Sequence, residues 1–305
     1  MPTLSALCCF SFPVITRLLS LNAATAAALV LIGLTAAPSI SHAAQSYDNC
    51  TGFIDSLPAT ISTQGTWCLR ADLTTATLSG NAITVATNNV TIDCNDFKLG
   101  GLAAGPSTQT IGIYADAREN ITIRRCNVRG FLRGTYLFNG VNHLVEDNRF
   151  DGNTYNGIFV KADRSVIRRN LVIATGASTI SLPAYGIISS GSVDVLDNII
   201  NGVTASGSSN DAAGIFTLSN PDGRITGNSV RGLVKASFGI AYGIYNFNSG
   251  RITLRNNDVV GDGLAGSFGL YCANARGRAR DNGISAFATG IQGCTSVSSG
   301  NDIDP

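Results

Sequence analysis

The sequence predicts an all-β solenoid, in which one chain winds through about nine coils of short stacked strands behind a short amino-terminal cap. Three observations predict it. An asparagine recurs at Asn95, Asn148, Asn170, Asn198, Asn228, Asn257, Asn282 and Asn301, with Cys126 in the same slot between the first two, at intervals of 19 to 31 residues. Repeats of this length are the mark of a solenoid. Apolar residues stand two places after each rung (Phe97, Val128, Phe150, Val172, Ile200, Val230, Val259, Ile284, Ile303). They also stand three places before it (Ile92, Ile123, Val145, Ile167, Val195, Ile225, Leu254, Ala279), and only Ser298 breaks that column. Upstream of the rungs lies Gly-Ile-aromatic or a close variant, starting at Gly112, Gly134, Gly157, Gly186, Gly214, Gly243, Gly269 and Gly290.

Alternate residues of a strand face opposite ways, so an apolar column on either side of a recurrent Asn means two short strands meeting at a bend. Asn suits that bend because it tolerates the left-handed backbone region, and its amide can bond to the Asn stacked above. In chain order, residues 1–43 read as a secretory leader. Arg17 precedes a long apolar run, and Ser41-His42-Ala43 makes a small-x-small cleavage site. Asn22 and Thr25 interrupt the run, which argues against a retained membrane anchor. Residues 44–66 are expected to cap the open core, with 46–60 (SYDNCTGFIDSLPAT) as a short helix or loop. The coils then fill 67–305 without a linker, as one domain, and 82–85 (AITV) is the first recognisable first strand.

With these columns in place, the chain resembles the right-handed parallel β-helix repeat family, whose fold is shared with pectin and pectate lyases. The resemblance covers about Ile83 to Ile303. It implies three strands per coil, with Gly-Ile-aromatic as the first, apolar-x-x-Asn as the second, and the Asn ladder at the turn before the third. It also implies long carbohydrates as the usual ligand. The motifs of particular activities are missing: Gly-His-Gly with Asn-Thr-Asp and Arg-Ile-Lys of polygalacturonases, Arg-x-Pro-x-x-Arg of pectate lyases, and Asp-Pro-His-Asp of alginate epimerases. Fold alone does not supply a reaction.

Lys and Arg number 21 against 20 Asp and Glu, and Arg17 leaves with the leader, so the mature chain is close to neutral. That gives no electrostatic case for nucleic acid or an anionic membrane surface. His143 is the one histidine left, which removes most support for zinc sites and Ser/His/Asp triads. A secreted or periplasmic monomer is expected, with no membrane contact once the leader is gone. Six cysteines remain: Cys50, Cys68, Cys94, Cys126, Cys272 and Cys294. An even number in an exported chain argues for disulfides, of which six cysteines allow fifteen arrangements. The coil alignment suggests Cys94 with Cys126, Cys272 with Cys294, and Cys50 with Cys68, each pair stapling adjacent layers.

After the inward Ile column comes Tyr114, Tyr136, Phe159, Ile188, Phe216, Tyr245, Tyr271 and Gln292, which strict alternation turns outward. Tyr114, Tyr136, Phe159, Phe216 and Tyr271 are therefore the substrate-binding candidates, since pyranose rings stack on aromatic faces and a linear polymer matches a linear column. The alternative is that the rings only stack on one another beneath neighbouring loops. The long segments 174–185, 203–213 and 233–242 fall on one side of the solenoid, where insertions usually meet a partner. The columns Asp93, Arg124, Glu146, Arg168 and Arg125, Asp147, Arg169, Asp197 alternate in sign, which reads as structural pairing.

Candidate catalytic groups beside the first-strand face are Lys161, Asp211, Lys235 and Tyr245, from a wider set with Asp116, Asp163, Asp222 and Tyr242. β-Elimination of a uronate polymer needs a cation at the carboxylate and a base for the C5 proton, roles open to Lys161 or Lys235 with Tyr245. Asp211 and Asp222 could instead hold Ca²⁺ or act as paired acids in hydrolysis. No other cofactor or metal is expected. The function predicted is that of a secreted carbohydrate-interacting β-helix, a polysaccharide lyase-like enzyme or else a non-catalytic surface or adhesion module that binds glycan or protein.

Overall fold

The computed structural model describes residues 47–304, so the leader at 1–43 lies outside the described residues. The chain forms a right-handed parallel β-helix of about nine coils. Three sheets run its length, one of eleven strands and two of ten, and every strand pairs in parallel with its equivalent one coil away. The first-strand sheet runs from Ala59–Ile61 to Thr289–Gln292, the second from Gly52–Ile54 to Ser296–Val297, and the third from Leu73–Thr74 to Asp302–Asp304. A single helical turn, Leu102–Ala104, is the only helix among the described residues.

The core is the space inside the three sheets. Ile113, Ile158, Ile187, Ile215, Ile244 and Leu270 from the first sheet meet Ile123, Val145, Ile167, Val195 and Ile225 from the second and Phe150, Val172, Ile200 and Val230 from the third, all fully buried. The coil is too narrow for a side chain at the glycine that opens each Gly-Ile pair. A Cβ on Gly214 would press into the Val230 methyl and lie 2.8 Å from the Gly243 carbonyl oxygen. Glycine is therefore required there by close approach, not by backbone angle.

The asparagine ladder stands at the bend between second and third strands. From Asn148 to Asn301 each Oδ1 accepts from the backbone N–H of the rung before it and, where that rung is Asn, from its Nδ2 as well. The left-handed residue is not the asparagine itself. It falls one place earlier, at Arg125, Asp147, Arg169, Asp197, Gly227, Asn256 and Asp281, with φ between 51° and 72°. The amide is then free to act purely as a hydrogen-bonding rung.

Both ends depart from the predicted alignment. Lys98 pairs with Asn127 while Asp93 pairs with Arg124, so the first bend holds two extra residues, and Leu99 takes the core place expected for Phe97. Asn95 leaves the ladder: its Nδ2 donates to the Leu69 carbonyl and its Oδ1 accepts from Arg125 at 2.6 Å. In the last coil Val297, not Ser298, pairs with Ala279, which explains the broken apolar column. The amino-terminal segment is strand rather than helix, with Gly52–Ile54 paired to Gly65–Leu69 and Ala59–Ile61 to Asn81–Val85. The cap is thus a first coil of the same solenoid.

Three disulfides link Cys50 to Cys68, Cys94 to Cys126 and Cys272 to Cys294, each joining neighbouring coils. The alternating charges pair as opposite signs must. Asp93, 2% exposed, is held by Arg124 at 2.9 Å and Arg125 at 2.6 Å. Glu146 is held by Arg168 at 2.7 Å and Arg169 at 2.8 Å, and Asp147 by Arg169 at 2.8 Å. Partly exposed pairs of this kind contribute about 0.2–1 kcal/mol each, and arginines so engaged are not a free polyanion surface.

Candidate functional site

The first-strand sheet presents three outward columns. The central one is the predicted stripe: Tyr114, Tyr136, Phe159, Ile188, Phe216, Tyr245, Tyr271 and Gln292 stand in continuous register. Towards the second strands lies Asp116, Phe138, Lys161, Ser190, Leu218, Phe247 and Ala273. Towards the long loops lies Ile111, Arg133, Asn156, Tyr185, Ala213, Tyr242, Phe268 and Thr289.

The rings of the central column touch one another and remain partly exposed. Tyr114 and Tyr136 lie 5.7 Å apart between centroids, Tyr136 and Phe159 4.8 Å, Phe216 and Tyr245 5.0 Å, Tyr245 and Tyr271 5.4 Å. Buried Ile188 interrupts the series. Beside it Tyr155, Tyr185 and Phe216 form a second series, at 5.8 and 5.2 Å, which Arg133 links to Tyr136 and Phe159. Tyr242 and Phe268 broaden the carboxyl-terminal half, stacking on Tyr245 at 4.3 Å and packing on Tyr271 at 4.9 Å respectively. Sequence reasoning placed Tyr242 among the wider catalytic candidates and missed Tyr155, Tyr185 and Phe268, and with them the loop-side aromatic column. Its signal was present as aromatic-Gly-Ile/Leu at 185–187, 242–244 and 268–270.

The third strands run further than expected, to Gly176, Thr204 and Val234, and leave three compact loops. They bond to one another as a wall beside the aromatic face. Ser178 Oγ donates to the Pro106 carbonyl at 3.1 Å, 72 residues away, Asn210 Nδ2 donates to Ser181 Oγ at 2.9 Å, and Phe238 N–H donates to the Ser208 carbonyl at 2.8 Å. Asp211 belongs to this wall: its Oδ1 accepts the Ile240 N–H at 2.8 Å. The same carboxylate faces the tyrosines. Burial first, then Tyr271 and Asp211, pushes the Tyr245 phenol above its ordinary 10.0. Burial followed by Asp211 and its neighbouring tyrosines raises Tyr242, and burial followed by Tyr155 and Asp211 raises Tyr185.

The four candidate catalytic side chains do not form one cluster. Asp211 bears on Tyr245 only through its charge, and Lys235 lies on the same loop border, its Nζ donating to the Ser237 carbonyl at 3.4 Å. Lys161 stands three strands away from the coil of Tyr245, or about 14 Å at ~4.8 Å per strand. It lies over Phe138 at 4.6 Å and lines a depression of about 360 Å³ with Asn139, Asp163, Ser190 and Ser219. The pairing of Asp211 with Asp222 fails, because the strand Ala212–Leu218 separates them. Seven strand residues span about 23 Å, against the roughly 5–9.5 Å of paired catalytic carboxylates. Asp222 lines a different depression, with Arg164, Asp194 and Arg224. No group of three His, Cys, Asp or Glu could hold a metal ion among the described residues. His143 is buried beneath the turns, its Nδ1 accepting the Ile121 N–H at 3.3 Å, and burial lowers its pKa.

A parallel solenoid with one aromatic face and a loop wall beside it defines the class. The chain belongs to the right-handed beta helix region family, whose model matches residues 63–259. No curated protein matches it. Among solved structures it is similar to the Dettilon tailspike protein gp208, with 16% identity over 83% of this chain and 60% of that one and a TM-score of 0.51. It is also similar to the enzymatically active domain of tailspike protein 2 of bacteriophage CBA120, with 14% identity over 84% and 42% and a TM-score of 0.50. The A-module of the Azotobacter vinelandii mannuronan C-5 epimerase AlgE6 matches at 11% identity over 86% and 93%, with a TM-score of 0.41. The chain spans less than two thirds of either tailspike chain, and identities this low speak for a shared fold.

Proposed function

We propose that this protein is an exported, glycan-engaging β-helix that holds a polysaccharide along its first-strand face. The observation that carries the reading is the central column of partly exposed rings, in register from Tyr114 to Tyr271 and walled on one side by loops. Apolar surface left open in a line is costly unless something covers it. Sugar C–H faces stack on such rings, and the column runs along the axis that a linear polymer would follow. The tailspike domain to which the chain is similar carries an enzymatic activity on the same fold.

Lyase-like turnover of a uronate polymer is the second reading, favoured by Lys161 opening into its depression beside Asp163. Against it stands Tyr245. A general base must give up its proton, whereas burial and Asp211 hold this phenol protonated. Binding therefore leads and turnover follows as the alternative.

The test uses mature protein on a panel of uronate-containing and neutral polysaccharides. Affinity electrophoresis reads binding, ultraviolet absorbance of unsaturated products reads elimination, and reducing ends read hydrolysis. Retention on at least one polymer, weakened about fivefold by Tyr271→Ala, is expected from a stacking contribution of about 1 kcal/mol. No retention and no product across the panel would overturn the glycan reading. Unsaturated products that vanish in Lys161→Ala would establish the lyase.

A further inference from the structure

We propose that Arg133 anchors a carboxylate carried by the bound glycan, so that this face selects an acidic sugar at one defined coil. The inference deepens the glycan reading and rests on it. Two independent observations point to an anion here.

The first is an unpaired cation. Arg133 opens the strand Arg133–Val141 in the loop-side column, and its guanidinium carbon lies 4.6 Å from the ring centre of Tyr155, 4.8 Å from Tyr136 and 5.3 Å from Phe159. No carboxylate of the described residues forms an ion pair with it, although most arginines of the Asn-ladder bends have one. Rings attract a guanidinium but do not neutralise it. Burial disfavours its charge, and the electrostatic interactions with Tyr155 and Tyr136 and the hydrogen bond to Tyr155 only partly offset that. A structural arginine half-buried among rings ordinarily keeps an acid beside it. An acid on this face that bears on these rings, Asp116, acts on Tyr114 and Tyr136 from the opposite column and is itself bonded to Asn139 at 3.1 Å.

The second is an unpartnered amide. Asn156 is the next rung of the same column, paired in register with Arg133 on one side and Tyr185 on the other. It is 0% exposed, and neither Oδ1 nor Nδ2 has a hydrogen-bond partner. An amide buried in that state costs free energy that a ligand oxygen would recover. A guanidinium fork with an amide donor one coil on, framed by ring faces, fits a sugar bearing a carboxylate: the ring stacks, and the charged group meets the fork.

The experiment compares an acidic oligosaccharide, a tetra-uronate, with its carboxyl-reduced neutral counterpart by isothermal titration. Wild type is expected to bind the acid about tenfold more tightly, the gain expected of a charge-assisted hydrogen bond. Arg133→Gln should abolish that preference and leave the affinity for the neutral probe within about twofold. Arg133→Lys, which keeps the charge but loses the fork, should retain part of it, and circular dichroism of both variants checks the fold. Equal affinity of wild type for the two probes, or an acid preference that survives in Arg133→Gln, overturns this proposal while the glycan reading stands. Binding of the neutral probe alone does the same. Binding of neither probe overturns it too, and the polymer panel decides whether the broader reading falls with it.

Discussion

Replacing Asn198 by alanine should be among the most damaging single changes in this chain. The side chain is 0% exposed and makes five hydrogen bonds. Its Oδ1 accepts from the N–H and the Nδ2 of Asn170, and its Nδ2 donates to the carbonyls of Ile167 and Leu196 and to Asn228 Oδ1, each at 3.0 Å. Not all five are lost outright. Asn170 Nδ2 keeps the Val145 and Arg168 carbonyls, and Asn228 Oδ1 keeps the backbone N–H of residue 198. The Asn170 N–H is left without its acceptor, and two carbonyls lose a donor. With about 1–3 kcal/mol for an unsatisfied buried donor and less for each carbonyl, Asn198→Ala should cost about 3–5 kcal/mol. Asn301→Ala, at the partly exposed end of the ladder, should cost about 1 kcal/mol. Guanidinium unfolding reads both as a fall in midpoint at constant slope. A loss under about 1 kcal/mol at Asn198, or equal losses at the two sites, would refute the view that the buried amide line holds the coils in register.

Gly214→Ala should destabilise by about 1–3 kcal/mol, because the new methyl has only the space of Val230 and the Gly243 carbonyl to enter; the same unfolding measurement checks it. Removing the Cys94–Cys126 disulfide by double serine substitution frees a loop of 32 residues and should cost about 3–4 kcal/mol on chain-entropy grounds, seen as a lower melting temperature. Asp93 gives a signed pH dependence. Burial opposes its charge, but the hydrogen bonds from Arg125 and the Asn95 N–H, with the charges of Arg125 and Arg124, together hold its pKa below 3.8. Its contribution is then complete above the unfolded value and lost as pH falls below about 4 towards the folded value. Asp93→Asn should flatten acid unfolding in that window, and an unchanged acid limb would count against the assignment.

The repeating parts of this fold were open to reading because they recur. Six asparagines with apolar flanks, from Asn148 to Asn282, locate two strands and a bend in each of their coils, and one alternation rule places Tyr114 to Tyr271 on a single outward column. What repeats less faithfully was hidden. The left-handed residue varies among Arg, Asp, Gly and Asn, so its column read as a charge pattern when its shared property is backbone conformation. The loop contact from Ser178 to Pro106 crosses 72 residues and has no periodic signature. Arg133 escaped because its column holds Ile, Arg, Asn, Tyr, Ala, Tyr, Phe and Thr. Its meaning comes from which rings surround it, and Tyr155 reaches it from outside the strand.

Most of the polar ties between coils lie on one side of the solenoid. In a solenoid the total stability is close to a sum of coil and neighbour terms, so each coil must lock onto the next somewhere. Here the amide line, the Asp93 and Glu146 ion pairs and the Cys94–Cys126 disulfide all lie around the bend between second and third strands. On the first-strand side the ties are fewer, the Cys272–Cys294 disulfide and the ring contacts along the outward column. Its rings could have been aliphatic, or small and polar, with the inward isoleucine wall unchanged. An arginine half-buried among rings without a carboxylate partner costs stability that a purely structural face would not give up. Such local departures from the most stable choice are where function is expected.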